Sequence, residues 1–415
     1  MSLRVTRLST VVVNARLRNW VFVRIETNQP GLIGWGEASL EWRTRGVMGA
    51  VEDLATLVVG QDPRRTEHLW QSMARHPFFM GGVVGMSALS GIDQALHDIK
   101  AKDLGVPLHE LLGGPVRDHV RFYDHLGGGS SDAVYNEATE VAFAARARES
   151  VAAGFDALKI LPVPPSRSLE GAAAIRSAVA LMRAVRDAVG DDVDVMVDLH
   201  GRTSAAMGIQ YGLALAPLRP WFLEEPCRPD DVMGMAEVAR AVPVPIASGE
   251  RLVTGREFEW LFRNRAVAIA QPDVCHVGGV TGLRRVAAIA EAHGVTLAPH
   301  NPLGPVATMV NLHLGFAISD FLIQEVMRSD VPWRDDVVDA HPAIVGGRVY
   351  RRPGRASASR FRSGLRRPIR LPARGARAAV PRRRVRRRLV GRRTRRPGQC
   401  PGTGPRPRGR ARQRA

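Results

Sequence analysis

The sequence predicts an α/β fold in which a (β/α) barrel follows a smaller α+β domain. Between residues 121 and 326, eight short apolar stretches alternate with longer Ala-rich stretches, a pattern typical of parallel β-α-β units. Three apolar stretches end in an acidic residue, Asp198, Glu224 and Glu250, at equal intervals of 26 residues. One strand-turn-helix-turn unit of a barrel has about this length, and eight such strands close a barrel.

The N-terminal part, residues 1–118, predicts a small antiparallel sheet followed by helices. Three stretches rich in β-branched residues or bounded by turn residues predict strands: 3–13, 20–27 and 31–38. The segment from Arg16 to Trp20 is predicted to be a loop. From Val47 to about Lys102 the apolar residues recur at helical spacing, which predicts helices.

Residues 119–330 contain the predicted barrel. Its strand candidates are RFYDHL, ALKI, VDVMVDLH, WFLEEP, PIASGE, AIAQPDV, VTLAPHN and FLIQEV. Gly- and Pro-rich stretches follow several of them, at 127–129, 162–165 and 301–305, as expected of loops around a barrel mouth. Residues 331–352 contain PAIVGGRVY, which we expect to return to the first domain.

The formal charge of +19 is concentrated at one end of the chain. Residues 351–415 contain 25 Arg and no acid, which leaves a net charge of −6 on the first 350 residues. Three scattered cysteines are too few for a disulfide framework or a zinc site. There is no signal-peptide pattern and no apolar run of membrane-spanning length, so we expect a cytoplasmic protein.

Residues 353–415 cannot bury a core, and we expect them to be disordered. One interpretation is a basic tail that binds RNA or DNA, although Phe361 is the one aromatic residue available to stack on bases. The other is translation out of frame in a GC-rich gene, which yields mostly Arg, Pro, Ala and Gly. If residues 355–360 are encoded CGG GCC TCG GCG TCG AGG, the frame that starts two nucleotides later reads Gly-Leu-Gly-Val-Glu.

The three strand-end carboxylates predict a magnesium site. Carboxylates at the same level of consecutive barrel strands converge, and they repel one another unless a cation lies between them. A small number of hard oxygen ligands suits Mg²⁺. Taken singly, each acid is more often a helix N-cap or a surface group, but three at equal spacing favour the metal.

Several motifs together resemble the enolase superfamily, in its mandelate racemase and muconate lactonizing enzyme branch, and within it the acid-sugar dehydratases related to galactonate dehydratase. They are GWGEA, MSALSGIDQALHDIKAK, DLHGR, FLEEP, SGER, QPDVCHVGG, LAPHNPLGP and IQEV, and the resemblance covers residues 1 to about 352. It implies a capping domain over a (β/α)7β TIM-like barrel, with Mg²⁺ on Asp198, Glu224 and Glu250 rather than Glu225. Members of the family typically end in a segment like PGLGVE, so the shifted frame favours a frameshift.

The resemblance also implies the catalytic groups. His300 would abstract a proton next to the substrate carboxylate, and Asp273, one strand earlier, would orient its imidazole. His200 lies two residues after Asp198, so on a strand both would face the mouth, where His200 could protonate a leaving hydroxyl. Glu325 would hydrogen-bond an enediolate oxygen, or else form a structural salt bridge.

Other residues are candidates for substrate binding. The racemases of the superfamily carry Lys-x-Lys at the end of strand two, whereas this chain has Lys159-Ile160-Leu161, which argues against lysine-driven racemisation. Lys159 and Arg202 would bind substrate polar groups or only pack and pair locally. Trp20, like the segment HPFFMGG at 76–82, would exclude water over the mouth or belong to the core.

We therefore expect a Mg²⁺-dependent dehydratase that converts galactonate or a related aldonate to its 2-keto-3-deoxy acid. The alternatives are a dehydratase or epimerase of another acid sugar and, in another class, a nucleic-acid-binding protein that uses the basic tail. The expected partners are a small acid sugar and further copies of this chain in a homo-oligomer; no membrane is expected, and nucleic acid is disfavoured.

Overall fold

The computed structural model describes residues 2–16, 18–76, 78–79, 81–127, 139–328, 330–339 and 341–351. The chain begins with an antiparallel sheet of β1 (Val5–Ala15), β2 (Arg18–Thr27) and β3 (Ile33–Glu37) in that order. The first turn is tight, since Ala15 pairs with Arg18 and Arg16 has a φ of 60°. The predicted loop from Arg16 to Trp20 is therefore mostly strand, because β-branched and aromatic residues after the turn extend β2.

Helices follow the sheet: α1 (Thr44–Val58), α2 (Thr66–Arg75), α3 (Gly82–Leu104) and the short α4 (Leu108–Leu111). Helix α3 lies directly on β3, where a Cβ added to Gly36 would stand 2.0 Å from the carbonyl oxygen of Gly91. This close approach needs glycine on both elements. We call residues 2–111, the sheet with these helices, the cap.

The barrel strands are parallel and follow one another in chain order. They are β4 (His119–His125), β5 (Ala157–Ile160), β6 (Asp194–Asp198), β7 (Leu223–Glu224), β8 (Ile246–Ser248), β9 (Ile269–Ala270), β10 (Thr296–Leu297) and β11 (Gln324–Val326). Strand β11 pairs with β4, and Phe321, just before β11, bridges Leu297 of β10. These contacts close the ring and confirm the predicted α/β barrel.

Each barrel strand except the last precedes a helix, which gives the (β/α)7β order within the described residues. The helices are α5 (Glu140–Ala152), α6 (Ala172–Val189), α7 (Ala205–Leu215), α8 (Val232–Ala241), α9 (Gly255–Arg263), α10 (Gly279–Ala292) and α11 (Pro305–Ala317). Apolar strand residues such as Leu158, Val195 and Leu223 face the helices in the main core. Their neighbours Met196 and Phe222 fill the barrel interior.

The segment predicted to return to the first domain divides between two neighbours. Val331, Val337 and Val338 pack with Trp20 of the cap, whereas β12 (Arg348–Tyr350) pairs antiparallel with β4 of the barrel. The domain boundaries at 118, 330 and 352 stay a prediction. The basic tail, Cys400 and residues 128 and 129 lie outside the described residues.

Among the residues that the structure describes, no helix is both long and apolar enough to cross a membrane.

Candidate active site

The three predicted metal ligands lie at the carboxyl ends of neighbouring strands. Asp198 of β6 is the register partner of Glu224 of β7, so their carboxylates start from the same level of the barrel. Glu250 follows two residues after β8, the next strand. Asp198 and Glu224 are buried. Strand pairing thus brings the three to one side of the mouth.

Each carboxylate has protein partners in this structure. Asp198 Oδ1 accepts the backbone N–H of His200 at 2.6 Å. Glu224 accepts from Lys159 Nζ at 2.6 Å and from Gln271 Nε2 at 2.7 Å. Glu250 lies 3.5 Å from His300 Nε2. As these side chains stand, no three His, Cys, Asp or Glu groups within the described part of the chain are arranged to hold a metal ion.

The electrostatics of the three carboxylates nevertheless fit a cation. Burial, with Glu250 nearby, raises the pKa of Asp198 to about 7, and burial, with Asp198 and Glu325 nearby, raises that of Glu224 to about 8. Burial and the charge of Glu225 also raise the pKa of Glu250. Buried carboxylates that repel one another are held ionised by a positive charge between them, and an all-oxygen donor set suits a hard divalent ion. The residues present therefore fit the metal that the sequence predicts.

His300 and Asp273 form the predicted pair. His300 Nδ1 donates to Asp273 Oδ2 at 2.8 Å, and the backbone N–H of Cys275 donates to Asp273 Oδ1 at 2.6 Å. Burial opposes protonation of His300, but Glu250 and the hydrogen bond to Asp273 outweigh it and raise the pKa of His300 to about 10. The ring is thus fixed, with Nε2 directed toward Glu250.

His200 lies at the mouth for a reason that differs from the one predicted. Strand β6 ends at Asp198, and His200 follows in a turn with a φ of 56°, so strand alternation does not set its direction. The turn is held by its N–H bond to Asp198. Burial lowers the pKa of His200, while the charge of Glu250 opposes this shift. In the described residues its buried Nδ1 has no hydrogen-bond partner.

Lys159 and Glu325 form a buried ionic cluster with Glu224. Lys159 Nζ lies 2.6 Å from Glu224 Oε1 and 2.7 Å from Glu325 Oε1, and its ammonium stands over the ring of Tyr123. Burial opposes ionisation of Glu325, but Lys159 and His300 outweigh it and lower the pKa of Glu325 to about 2. Its Oε2 accepts the N–H of Asn301 at 2.7 Å. An ionised Glu325 accepts hydrogen bonds, so it cannot donate one to an enediolate in this state.

Two further candidates lie at different depths. Arg202 is partly exposed in the loop after β6 and donates to the carbonyl oxygen of Val163 at 2.6 Å. Trp20 is fully buried in an apolar cluster between cap and barrel, with Val306 of α11. This placement favours the packing interpretation of Trp20, and its contact with substrate stays a prediction.

Sequence reasoning missed two histidines at the same mouth. His125 ends β4, the strand position at which the acids were noticed, and burial together with Lys159 lowers its pKa well below the ordinary range. His276 lies 3.7 Å from Asp273 and hydrogen-bonds Ser87 of the cap helix α3 at 2.9 Å. The rule that polar residues ending barrel strands face the site identifies His125.

This fold and site define an enzyme of the enolase superfamily. Residues 5–113 match the family model "Mandelate racemase / muconate lactonizing enzyme, N-terminal domain", and residues 142–356 match "Enolase C-terminal domain-like". The chain belongs to the mandelate racemase and muconate lactonizing enzyme family, which confirms the predicted resemblance.

Individual relatives agree with this assignment. The chain is 42% identical to D-galactonate dehydratase of Ralstonia nicotianae and 40% identical to that of Variovorax paradoxus. Each alignment spans 323 residues, which is 78% of this chain and 81% of the relative. A solved mandelate racemase/muconate lactonizing enzyme-like protein from Rubrobacter xylanophilus superposes with a TM-score of 0.78 at 33% identity, over 84% of this chain and 93% of its own. The predicted class, a hydro-lyase that dehydrates acid sugars, is confirmed at this level.

Proposed function

We propose that this enzyme dehydrates galactonate, or an aldonate close to it, to the 2-keto-3-deoxy acid. One observation carries the proposal: two imidazoles interact with the same carboxylate, Glu250, since His300 Nε2 lies 3.5 Å from it and the charges of Glu250 and His200 shift each other's pKa. One imidazole can act as base and the other as acid on a substrate between them. The names of the relatives support galactonate as the first substrate to test.

In the first step His300 removes the C2 proton. The C2–H bond breaks, the proton goes to Nε2, and the electron pair moves into the neighbouring carboxylate to give an enediolate. Asp273 keeps the ring oriented through Nδ1. A pKa of about 10 keeps His300 protonated near neutral pH, so His300 would act as a base when a cation held by Glu250 offsets the carboxylate charge that raises this pKa. The hydrogen bond to Asp273 then stabilises the imidazolium that forms.

In the second step His200 gives a proton to the C3 hydroxyl. The C3–O bond breaks, water leaves, and the enediolate electrons form the C2–C3 double bond. The resulting enol then tautomerises to the 2-keto acid. Burial, which lowers the pKa of His200, makes its imidazolium a stronger acid toward the leaving oxygen but reduces the protonated fraction near neutral pH, and the charge of Glu250 favours the protonated form.

Asp198, Glu224 and Glu250 would hold the metal ion, which we propose to be Mg²⁺ because the ligands are hard oxygens. Family members generally depend on a metal ion. When bound, the ion offsets the negative charge that develops on the substrate carboxylate as the C2 proton leaves. Lys159, which Glu325 and Glu224 hold, supplies a second positive group near the substrate carboxylate.

The test separates proton abstraction from loss of water. In D₂O with Mg²⁺ and galactonate, His300→Asn should abolish exchange of the C2 proton, whereas His200→Asn should keep exchange and lose dehydration. His68→Asn, an exposed site on α2, is the matched control and should leave both rates unchanged. Dehydration retained in His200→Asn contradicts its role as the acid.

The substrate is decided by a panel of aldonates assayed for 2-keto acid formation. Turnover of a different aldonate alone identifies another dehydratase of this family. An epimer without a 2-keto product identifies the epimerase alternative.

A further inference from the structure

The cap is attached to the barrel by a buried carboxylate close to the proposed base. Glu37 ends β3 and is fully buried. Its Oε1 accepts the N–H of Gly304 at 2.7 Å, and its Oε2 accepts the N–H of Ala307 at 2.9 Å. Both donors belong to the first turn of α11 or the residue before it, so Glu37 caps a barrel helix from another part of the fold.

Glu37 is itself held firmly. Ser39 Oγ donates to its Oε1 at 2.6 Å, and the amide group of Gln94 on α3 bonds both its backbone N–H and its carbonyl oxygen at 3.0 Å. The same Gln94 amide donates to the carbonyl oxygen of Val274, the residue after Asp273. The cap therefore contacts the loops that follow both members of the His300–Asp273 pair.

The chain between His300 and Gly304 has little freedom. At one end His300 is bonded to Asp273, and the N–H of Asn301 donates to Glu325. At the other end the Glu37 carboxylate fits Gly304 so closely that an added Cβ would stand 2.5 Å from Oε1. A shift of Glu37 is therefore transmitted through only a few residues to the imidazole.

We propose that Glu37 is a positioning residue that sets the place of the His300 imidazole through the N-terminus of α11. It touches no reacting atom. The proposal rests on the function proposed above for His300. It assigns to the cap a part in forming the base as well as in covering the mouth.

Two variants change the contact between Glu37 and Gly304, one at each residue. Glu37→Gln replaces one acceptor oxygen by a donor that faces a backbone N–H. Gly304→Ala leaves the Glu37 carboxylate chemically intact, but the added methyl group displaces it. Alanine tolerates the backbone conformation at this position, because the φ of Gly304 is not positive. Glu67→Gln is the matched control, because Glu67 is an exposed cap residue that contacts the barrel through Arg285.

Two measurements are made with Mg²⁺ present. The first is the ¹⁵N imidazole signal of His300 in histidine-labelled protein without substrate, assigned with His300→Asn. The second is kcat and KM on the aldonate that wild type turns over. We expect Glu37→Gln and Gly304→Ala to move the His300 signal and to lower kcat about 10- to 100-fold, the effect of a displaced catalytic group, with KM changed less than about twofold. Glu67→Gln should match wild type in both.

The outcomes separate this proposal from the function it rests on. If folded Glu37→Gln or Gly304→Ala shows the same His300 signal and the same kcat as wild type, the positioning role is overturned, whereas dehydration by wild type still supports the proposed function. A moved signal in an enzyme that dehydrates no aldonate supports positioning and rejects the proposed function. In the Glu37→Ala background, the Gly304→Ala change should cost nothing further, because the methyl group then meets no carboxylate; additive losses contradict the proposal.

Discussion

Lys159 balances part of the negative charge of the buried site. It lies in contact with Glu224 and Glu325, and only about 1% of its side chain is exposed. Burial opposes its charge, but Glu224 and Glu325 outweigh burial and raise the pKa of Lys159 well above the ordinary range. Two buried carboxylates thus share one ammonium.

Lys159→Met should lower the free energy of unfolding by about 3–5 kcal/mol, because it leaves buried carboxylates without a counter-charge. Urea unfolding at pH 7 measures it. Lys102→Met is the control. Lys102 Nζ pairs with Asp98 at the same distance, 2.6 Å, but this pair lies nearer the surface, so we expect its free energy of unfolding to fall by only about 1 kcal/mol. Equal losses in the two variants would show that Lys159 only packs. Excess Mg²⁺ should recover part of the lost stability in Lys159→Met but not in Lys102→Met.

At the scale of elements, helix α9 has the strongest local signal for its start. Thr254 accepts the N–H of Glu257, and the Glu257 carboxylate accepts the N–H of Thr254 at 2.8 Å, a reciprocal capping box that is readable from the sequence Thr-Gly-Arg-Glu.

Thr254→Ala should therefore cost about 1 kcal/mol of stability, measured by urea unfolding, because one helix N–H loses its acceptor. Ser177→Ala, on the exposed side of α6, removes a hydroxyl that bonds only within its own helix and should change stability by less than about 0.5 kcal/mol. A loss no larger at Thr254 than at Ser177 contradicts the capping role.

Helices α4 and α11 meet through two buried histidines. His109 and His313 stack and share a hydrogen bond between their Nδ1 atoms at 2.9 Å. Burial, with His109 nearby, lowers the pKa of His313 from 6.5 to about 3. Between these values the unfolded chain binds a proton that the fold does not, so the stability contributed by this pair is complete above pH 6.5 and falls as the pH decreases toward 3.

His313→Gln should flatten this dependence by up to about 1.4 kcal/mol per pH unit, because it keeps a hydrogen-bonding group that does not titrate. The free energy of unfolding is measured in urea at pH 7, 6 and 5. His68→Gln, at an exposed position, should keep the wild-type slope. Identical slopes in wild type and His313→Gln would refute the assignment.

At the scale of the whole molecule, the charge of the chain is divided. The 25 Arg of residues 351–415 lie beyond the last described strand, β12. On the alternative that the basic tail binds nucleic acid, binding of the full chain to single-stranded DNA should weaken steeply with salt, because arginines release counterions from phosphates. A stop codon after Arg352 should then abolish this binding. Aldonate turnover should stay within about twofold. Affinity that survives truncation would place nucleic-acid binding elsewhere on the chain.

The sequence of the coding DNA distinguishes a native basic tail from a frameshift. One inserted or deleted base near codon 354 identifies a frameshift. An intact reading frame leaves a genuine basic tail. The family match ends at residue 356, two codons later.

Much of this architecture follows from the sequence because it is local or periodic. Apolar stretches at regular spacing predict strands, and the acids that end three of them are predicted to lie at the mouth, since parallel strands end on one side of a barrel. The pairing of Asp273 with His300 was implied by the family resemblance, and their positions at the ends of neighbouring strands agree with it. The turn that carries His200 was not predictable, because a positive φ at histidine has no sequence signature.

The sequence by itself therefore determined the barrel, its order of strands and the three carboxylates at equal spacing. The tertiary structure alone decided which distant groups meet: Lys159 with Glu224 and Glu325, and the Glu37 carboxylate with the backbone N–H of Gly304. The physical reason is that such contacts join residues far apart along the chain, and their distances depend on closure of the barrel and docking of the cap. No local pattern of residues encodes these distances.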